Sequence, residues 1–112
     1  MNNKYRKLLL KECPNLYKSY ETIVEEQFEL FAKKQLDYGI GNISTGANLE
    51  TKEGKDFALH GLWFRMNDKI SRWKNLIIKN RKGNNETLTD TYQDLGNYSI
   101  ICQLINKGLW KE

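Results

Sequence analysis

Three carboxylates in the C-terminal third of the chain have a spacing that chemistry can use. Glu86, Asp90 and Asp94 stand four residues apart, which puts them on one face of a helix. Like charges at this spacing repel by a few tenths of a kcal/mol on an isolated helix, so the stripe calls for a counter-charge. Asp is a mediocre former of helix interiors, and Asp94 in particular points to a polar cluster. Asn97, Ile101 and Leu104 continue the same line, so the acidic stripe merges into an apolar one and is expected to face protein. Two kinds of counter-charge fit: Arg or Lys from a neighbouring helix, or Mg²⁺ held by Glu86, Asp90 and Asp94. The plainer alternative, ordinary surface acids at the start of a helix, suits Glu86 best.

Candidate partners lie upstream. Arg65, Asp68 and Arg72 share a helix face, with Lys69 beside it. They form either an internal salt-bridge ladder or a pair of guanidinium forks that reach the downstream acids or grip a phosphate bidentately. A third cluster is Lys34-Gln35-Leu36-Asp37-Tyr38-Gly39. Lys34 near a helix end complements the macrodipole, and Asp37-Tyr38-Gly39 can serve as a plain C-cap. The same residues also suit a nucleotide: Gly39 lets backbone approach a ligand, Tyr38 can stack on a base, and Lys34 can meet a phosphate. The loop matches neither the P-loop pattern nor the dinucleotide fingerprint. The ligand-binding candidates are therefore Lys34, Asp37, Tyr38, Gly39, Arg65, Asp68, Lys69, Arg72 and Asn97. His60, the single histidine, has no Ser or Cys in a nucleophilic motif around it and reads as structural or surface.

Three long helices and a possible short one must position these groups. Residues 4–12 are candidates for the short helix. Leu16, Tyr20, Ile23, Val24, Phe28 and Phe31 recur at helical spacing, predicting a helix from about Asn15 to Leu36 behind Pro14, where a missing N–H does no harm. Three glycines, Gly39, Gly41 and Gly46, interrupt it, and a polar loop is expected to run on to about Lys55. The second long helix is expected from about Asp56 to Lys79, with Leu59, Trp63, Met66, Ile70, Trp73 and Ile77 as its apolar stripe. The third is expected from a cap at Asn84 or Asn85 to Lys107, with Gly108 as its breaker. Its stripe is Leu88, Tyr92, Leu95, Cys102 and Ile105. Ile101 and Leu104 widen it, so this helix is expected to be buried on more than one side. Leu109-Trp110 can dock back on the body or on a partner.

The whole is an all-α chain of 112 residues, expected to form one domain over 1–112. No apolar run approaches the ~18 residues that span a bilayer, and the opening Leu8-Leu9-Leu10 is too short for a signal-peptide core. A cytoplasmic protein with no membrane partner is expected. Cys13 and Cys102 lack a metal or redox motif and read as free thiols. The net charge of +4 and the pI near 9.0 favour a phosphate ligand. The Lys and Arg are interspersed with acids, so direct nucleic-acid binding is not expected. Uncovered Trp and Tyr surface favours a homodimer.

Taken in order, three blocks resemble one family: Lys34-x-x-Asp37-Tyr38-Gly39, then Gly61-Leu62-x-x-Arg65-x-x-Asp68-Lys69-x-x-Arg72-x-x-Asn75-Leu76, then Glu86-Thr87-Leu88-x-Asp90-Thr91-x-x-Asp94-Leu95-x-Asn97-Tyr98. They look like the first nucleotide-modification-associated domain, a small helical family of phages and bacteria, over roughly residues 30–107. The resemblance implies a role in phage or bacterial nucleotide metabolism, in the host cytoplasm if phage-encoded. It implies a shared polar set of Asp37, Arg65, Asp68, Lys69, Arg72, Glu86, Asp90 and Asp94, and no particular reaction. Separately, Glu25-Glu26-x-x-Glu29 is similar to the first metal-binding helix of MazG-like all-α nucleotide pyrophosphohydrolases, although Asp90-x-x-x-Asp94 differs in spacing from their second acidic motif; a solvated helix face is the other reading.

The expectation is a nucleotide-handling protein: a Mg²⁺-dependent nucleotide phosphohydrolase, or a protein that binds a nucleotide or nucleotide signal without changing it, or an accessory subunit of a DNA-base modification system. A purely structural role for the polar cluster stays open beside these.

Overall fold

In the computed structural model, which describes residues 3–79 and 87–112, the chain runs through five helices: α1 (Lys4–Glu12), α2 (Pro14–Tyr38), α3 (Gly41–Ser44), α4 (Lys52–Ile78) and α5 (Leu88–Asn106). Among the described residues no strand occurs and no helix is long and apolar enough to cross a membrane. The all-α class and the three long helices are as the periodicity implied.

The boundaries follow local chemistry. Pro14 occupies the first turn of α2, and Gly39 closes it at φ 78°, donating its N–H to the Gln35 carbonyl at 2.8 Å. The glycine-rich stretch is more ordered than expected. It forms α3, which buries Ile43. The loop is also shorter, because α4 begins at Lys52 rather than Asp56. Its N-cap is Thr51, whose hydroxyl accepts from the Gly54 N–H at 3.0 Å.

The start of the third long helix is likewise corrected. The expected caps Asn84 and Asn85 lie outside the described residues, and α5 opens on a capping box. The Thr87 hydroxyl accepts from the Asp90 N–H, and the Asp90 carboxylate accepts from the Thr87 N–H, both at 3.2 Å. This S/T-x-x-D variant satisfies two orphan donors reciprocally.

The core is small. Ile43, Ala58, Leu62, Ile101, Ile105 and Trp110 form it, with Phe31, Ile40, Leu49, Leu59, Tyr98, Cys102 and Leu104 packed around. The tail docks on the body through Trp110, whose indole N–H donates to the Ile40 carbonyl at 3.0 Å. The expected apolar stripes of α2 and α4 are not the buried ones. On α4 the buried positions are Gly54, Ala58, Leu62 and Leu76, while Trp63, Ile70 and Ile77 are exposed. The inner face of α4 thus carries small or polar side chains between its apolar ends; of the expected stripe, Leu59 packs on the core and Trp73 packs edge-on against Tyr92 of α5, while Trp63, Ile70 and Ile77 point away.

No residue of α1 or α2 is buried, and Leu16, Tyr20, Ile23, Val24 and Phe28 are exposed. The α1–α2 hairpin extends from the body. The radius of gyration is accordingly 16.7 Å, against about 13 Å for a compact chain of this length.

Candidate functional site

Asp94 sits in the middle of α5, where a helix interior gives its carboxylate no backbone donor to cap. Its side chain is only 10% exposed. Two ammonium groups meet it from opposite helices. Lys34 of α2 approaches Oδ1 at 2.8 Å, and Lys69 of α4 approaches Oδ2 at 2.9 Å. Burial alone would push the carboxyl up. The hydrogen bonds from Lys34 and then Lys69, reinforced by their charges, outweigh burial and hold it below the ordinary carboxylate value. Asp94 is therefore ionised at neutral pH and joins three helices at one point.

Beside it opens a cavity of about 270 Å³ between α2, α3, α4 and α5. Lys34, Arg65 and Asp94 supply its charges, Phe31, Tyr38 and Tyr98 its aromatic faces, and Gln35, Asn42 and Asn97 its amides. Arg65 reaches across α3 and donates to the Asn42 carbonyl at 3.2 Å. Asn97 faces α2: its Nδ2 donates to the Gln27 carbonyl at 3.3 Å, and its Oδ1 accepts from Gln27 Nε2 at 3.4 Å. Among the described residues no buried side-chain N or O lacks a hydrogen-bond partner.

Of the candidates, Lys34, Tyr38, Arg65, Asp94 and Asn97 come together around this cavity, with Lys69 behind Asp94. Asp37, Gly39 and Asp68 are exposed and do not line it. Gly39 shapes the helix exit. Arg72 works lower on the same α4 face. Its guanidinium donates to the Thr91 hydroxyl at 2.6 Å and the Thr87 carbonyl at 3.3 Å, tying α4 to the first turn of α5. Thr91 is fully buried there.

The acidic stripe divides. Asp90 serves the α5 cap, Asp94 takes two lysines, and Glu86 lies outside the described residues. Mg²⁺ at Asp94 would have to displace both ammonium groups, so the donor set as it stands does not fit that ion. Glu25, Glu26 and Glu29 are exposed on α2, and Glu29 stands 4.0 Å from Lys33; these acids form a solvated face. His60 is exposed, and both cysteines are free thiols.

Phe31, Gln35, Asn42 and Tyr98 were not among the candidates, yet they line the cavity. Tyr98 carried a signal. Positions 94, 97, 98 and 101 follow the i, i+3, i+4, i+7 rule of a single helix face, so a ligand facing Asp94 also faces Tyr98 and Ile101. Asn42 carried none, since its place depends on how α3 folds over α4.

The arrangement is a cleft with more cations than acids and an aromatic wall. It can hold an anion against Lys34 and Arg65 and stack a planar ring on Tyr38, Phe31 or Tyr98. Comparison with protein-family models, with curated proteins and with solved structures returns no match to this chain, so the site speaks through its own chemistry.

Proposed function

We propose that the protein binds a nucleotide, or a nucleotide-like phosphate, in the cavity between α2, α4 and α5. One observation carries this reading: Lys34 and Arg65 line the same cavity as three aromatic side chains, with the ionised Asp94 already paired to a further cation, Lys69. Concave sites with an apolar lining and a few convergent polar groups are the usual form of small-molecule pockets. The resemblance to the nucleotide-modification-associated domain points to the same ligand class and to a place in phage or bacterial nucleotide metabolism, in the cytoplasm. Binding without turnover is the form of the reading that these side chains support best, because Asp94 is committed to two lysines.

The rival reading, a Mg²⁺-dependent phosphohydrolase, draws on the four-residue spacing of Glu86, Asp90 and Asp94 and requires Asp94 to exchange both lysines for the ion. A homodimer belongs to either reading, since the exposed apolar side chains of α2 and α4 form patches of the kind that mark protein contacts.

A thermal-shift panel of nucleotides, each with and without Mg²⁺ and followed by chromatography of the recovered ligand, tests both readings. Binding at about a hundredfold excess over Kd stabilises by about 2.7 kcal/mol, which is about 10–20 °C in Tm for a domain this size. A shift with intact ligand supports the binder, whereas a shift accompanied by released phosphate or pyrophosphate supports the hydrolase. No shift with any nucleotide rejects the nucleotide reading.

A further inference from the structure

We propose that the ligand of this cavity is a nucleotide bearing one dianionic phosphate monoester, gripped between Lys34 and Arg65. The proposal rests on the nucleotide reading above and goes on to specify the ligand's charge.

The charges around the cavity fall into two sets. Asp94 and Lys69 form an internal neutral pair: Lys69 holds Oδ2 at 2.9 Å with only 21% of its side chain exposed, and it is not part of the cavity wall. Lys34 and Arg65 are the cations of the described wall, and they contribute two positive charges. Lys34 stands at the mouth with half of its side chain in solvent, bonded to Asp94 Oδ1 at 2.8 Å. An ammonium has three donors, so Lys34 can keep this bond and meet an incoming oxygen. The Arg65 guanidinium places one nitrogen on the Asn42 carbonyl, and its fork of five N–H donors suits a phosphate.

A phosphate monoester carries between about −1.5 and −2 charges at pH 7, which two cations balance. Each added phosphate of a di- or triphosphate brings further negative charge that the described wall does not meet. Size points the same way: about 270 Å³ lies just below the usual range of ligand pockets, roughly 300 to 1,000 Å³. The aromatic wall of Tyr38, Phe31 and Tyr98 then takes the base.

Isothermal titration of the full chain tests this with adenosine, AMP, ADP and ATP, with the guanosine, cytidine and thymidine series, and with inorganic phosphate and ribose 5-phosphate, each with and without Mg²⁺. One monophosphate is expected to bind at least tenfold more tightly than its own nucleoside, diphosphate and triphosphate, and than either base-free phosphate. Its affinity should fall by roughly tenfold between pH 7 and pH 5, because the second phosphate ionisation lies near pH 6. The protein groups facing it are Lys34 and Tyr38 of α2, Arg65 of α4, and Asp94 and Tyr98 of α5, with Lys69 behind Asp94, and none of these residue types ordinarily titrates in that window. Lys34→Met and Arg65→Met should each weaken the monophosphate at least tenfold, and by a larger factor than they weaken the nucleoside. The wild-type series decides the matter even if a variant fails to fold.

A di- or triphosphate that binds more tightly than its monophosphate overturns the single-phosphate assignment while sparing the nucleotide reading. Ribose 5-phosphate or inorganic phosphate binding as well as the nucleotide overturns the role of the base. Failure of every nucleotide to bind overturns the underlying reading and this assignment with it.

Discussion

Lys34 Nζ stands 2.8 Å from Asp94 Oδ1 and so joins α2 to α5 across sixty residues of chain. With Phe31, the α2 side chain that packs on the core, this contact anchors a helix with no fully buried residue to the rest of the molecule. The Gln27–Asn97 pair, one face further along the same two helices, is its companion. The α2–α5 seam is thus polar at its centre, and that is where the cavity opens.

Asp94→Asn should destabilise the protein at pH 7 and flatten its response to acid. A folded-state carboxyl below its ordinary value of 3.8 adds stability that is fully present above the unfolded value and is lost as pH falls through the folded one. Truncating a fully buried pair removes about 3–5 kcal/mol. Lys34 is half exposed, so solvent screening reduces the expected loss to about 1–2 kcal/mol. That corresponds to a fall in Tm of about 4–8 °C per kcal/mol for a domain of about 100 residues. Thermal melts at pH 7, 5, 4 and 3 check the sign: the gap between wild type and variant should close as pH drops below about 4. A gap that stays constant to pH 3 would mean that the carboxylate charge contributes nothing.

Asp94 was legible in the sequence because an aspartate in a helix interior needs a partner. The identity of the partner was not. Arg65, Lys69 and Arg72 share one α4 face, and which of three long cations meets one carboxylate depends on the relative slide of α4 and α5. That slide places Lys69 at Asp94 and Arg72 one turn lower at Thr91. Lys34 was visible as a charge near a helix end and as a candidate for a phosphate, but not as a partner of Asp94, since nothing local states that α2 will lie against α5. The apolar stripes misled for a related reason. Periodicity reveals that Trp63, Ile70 and Ile77 share a face, but α4 is apolar on two sides. The side that meets α5 holds Ala58, Leu62 and Leu76, which are smaller and allow close approach. The class and number of long helices needed no such tertiary information and were readable throughout.

Two glycines of α4 should respond in opposite ways to alanine. A Cβ on Gly54 would fall 1.8 Å from the Asn48 carbonyl oxygen and 2.5 Å from its carbon, while a Cβ on Gly61 meets nothing within 4 Å. The first clash is with backbone, which cannot swing aside, so Gly54→Ala should cost at least about 1–3 kcal/mol. Gly61→Ala should gain about 0.5–1 kcal/mol, because glycine in a helix interior sacrifices more chain entropy. Urea denaturation of both variants gives the answer, and equal midpoints would contradict the packing described at the start of α4.

The two thiols should separate by reactivity. Cys13 is exposed, while Cys102 is half-buried against the core, and burial pushes the Cys102 thiol above its ordinary value. The thiolate is the reactive form, so at pH 8 Cys102 carries less thiolate than an ordinary thiol and is less accessible than Cys13. A colorimetric thiol titration of the native protein should show one fast equivalent, which Cys13→Ser abolishes, and one slow equivalent that becomes fast in denaturant. Two equally fast native thiols would contradict the docking of Cys102 on the core.

Trp110 should matter to both stability and the site. It is buried, its ring packs edge-on against Phe31 with centroids 6.2 Å apart, and its indole N–H holds the Ile40 carbonyl. Ile40 immediately precedes α3, which presents Asn42 to Arg65 and Ile43 to the core. The tail therefore pins the corner that closes the cavity. Trp110→Ala should lower stability by about 3–5 kcal/mol, the usual loss for a buried tryptophan. Trp110→Phe keeps a six-membered ring while removing the hydrogen bond and the volume of the five-membered ring, at about 1–2 kcal/mol. The phenylalanine variant should remain folded and carry the functional test. With the Ile40 carbonyl released, α3 is held less firmly, Arg65 loses a fixed position, and nucleotide-induced thermal stabilisation should shrink relative to wild type. An undiminished shift in Trp110→Phe would show that the tail supports the fold alone and takes no part in shaping the cavity.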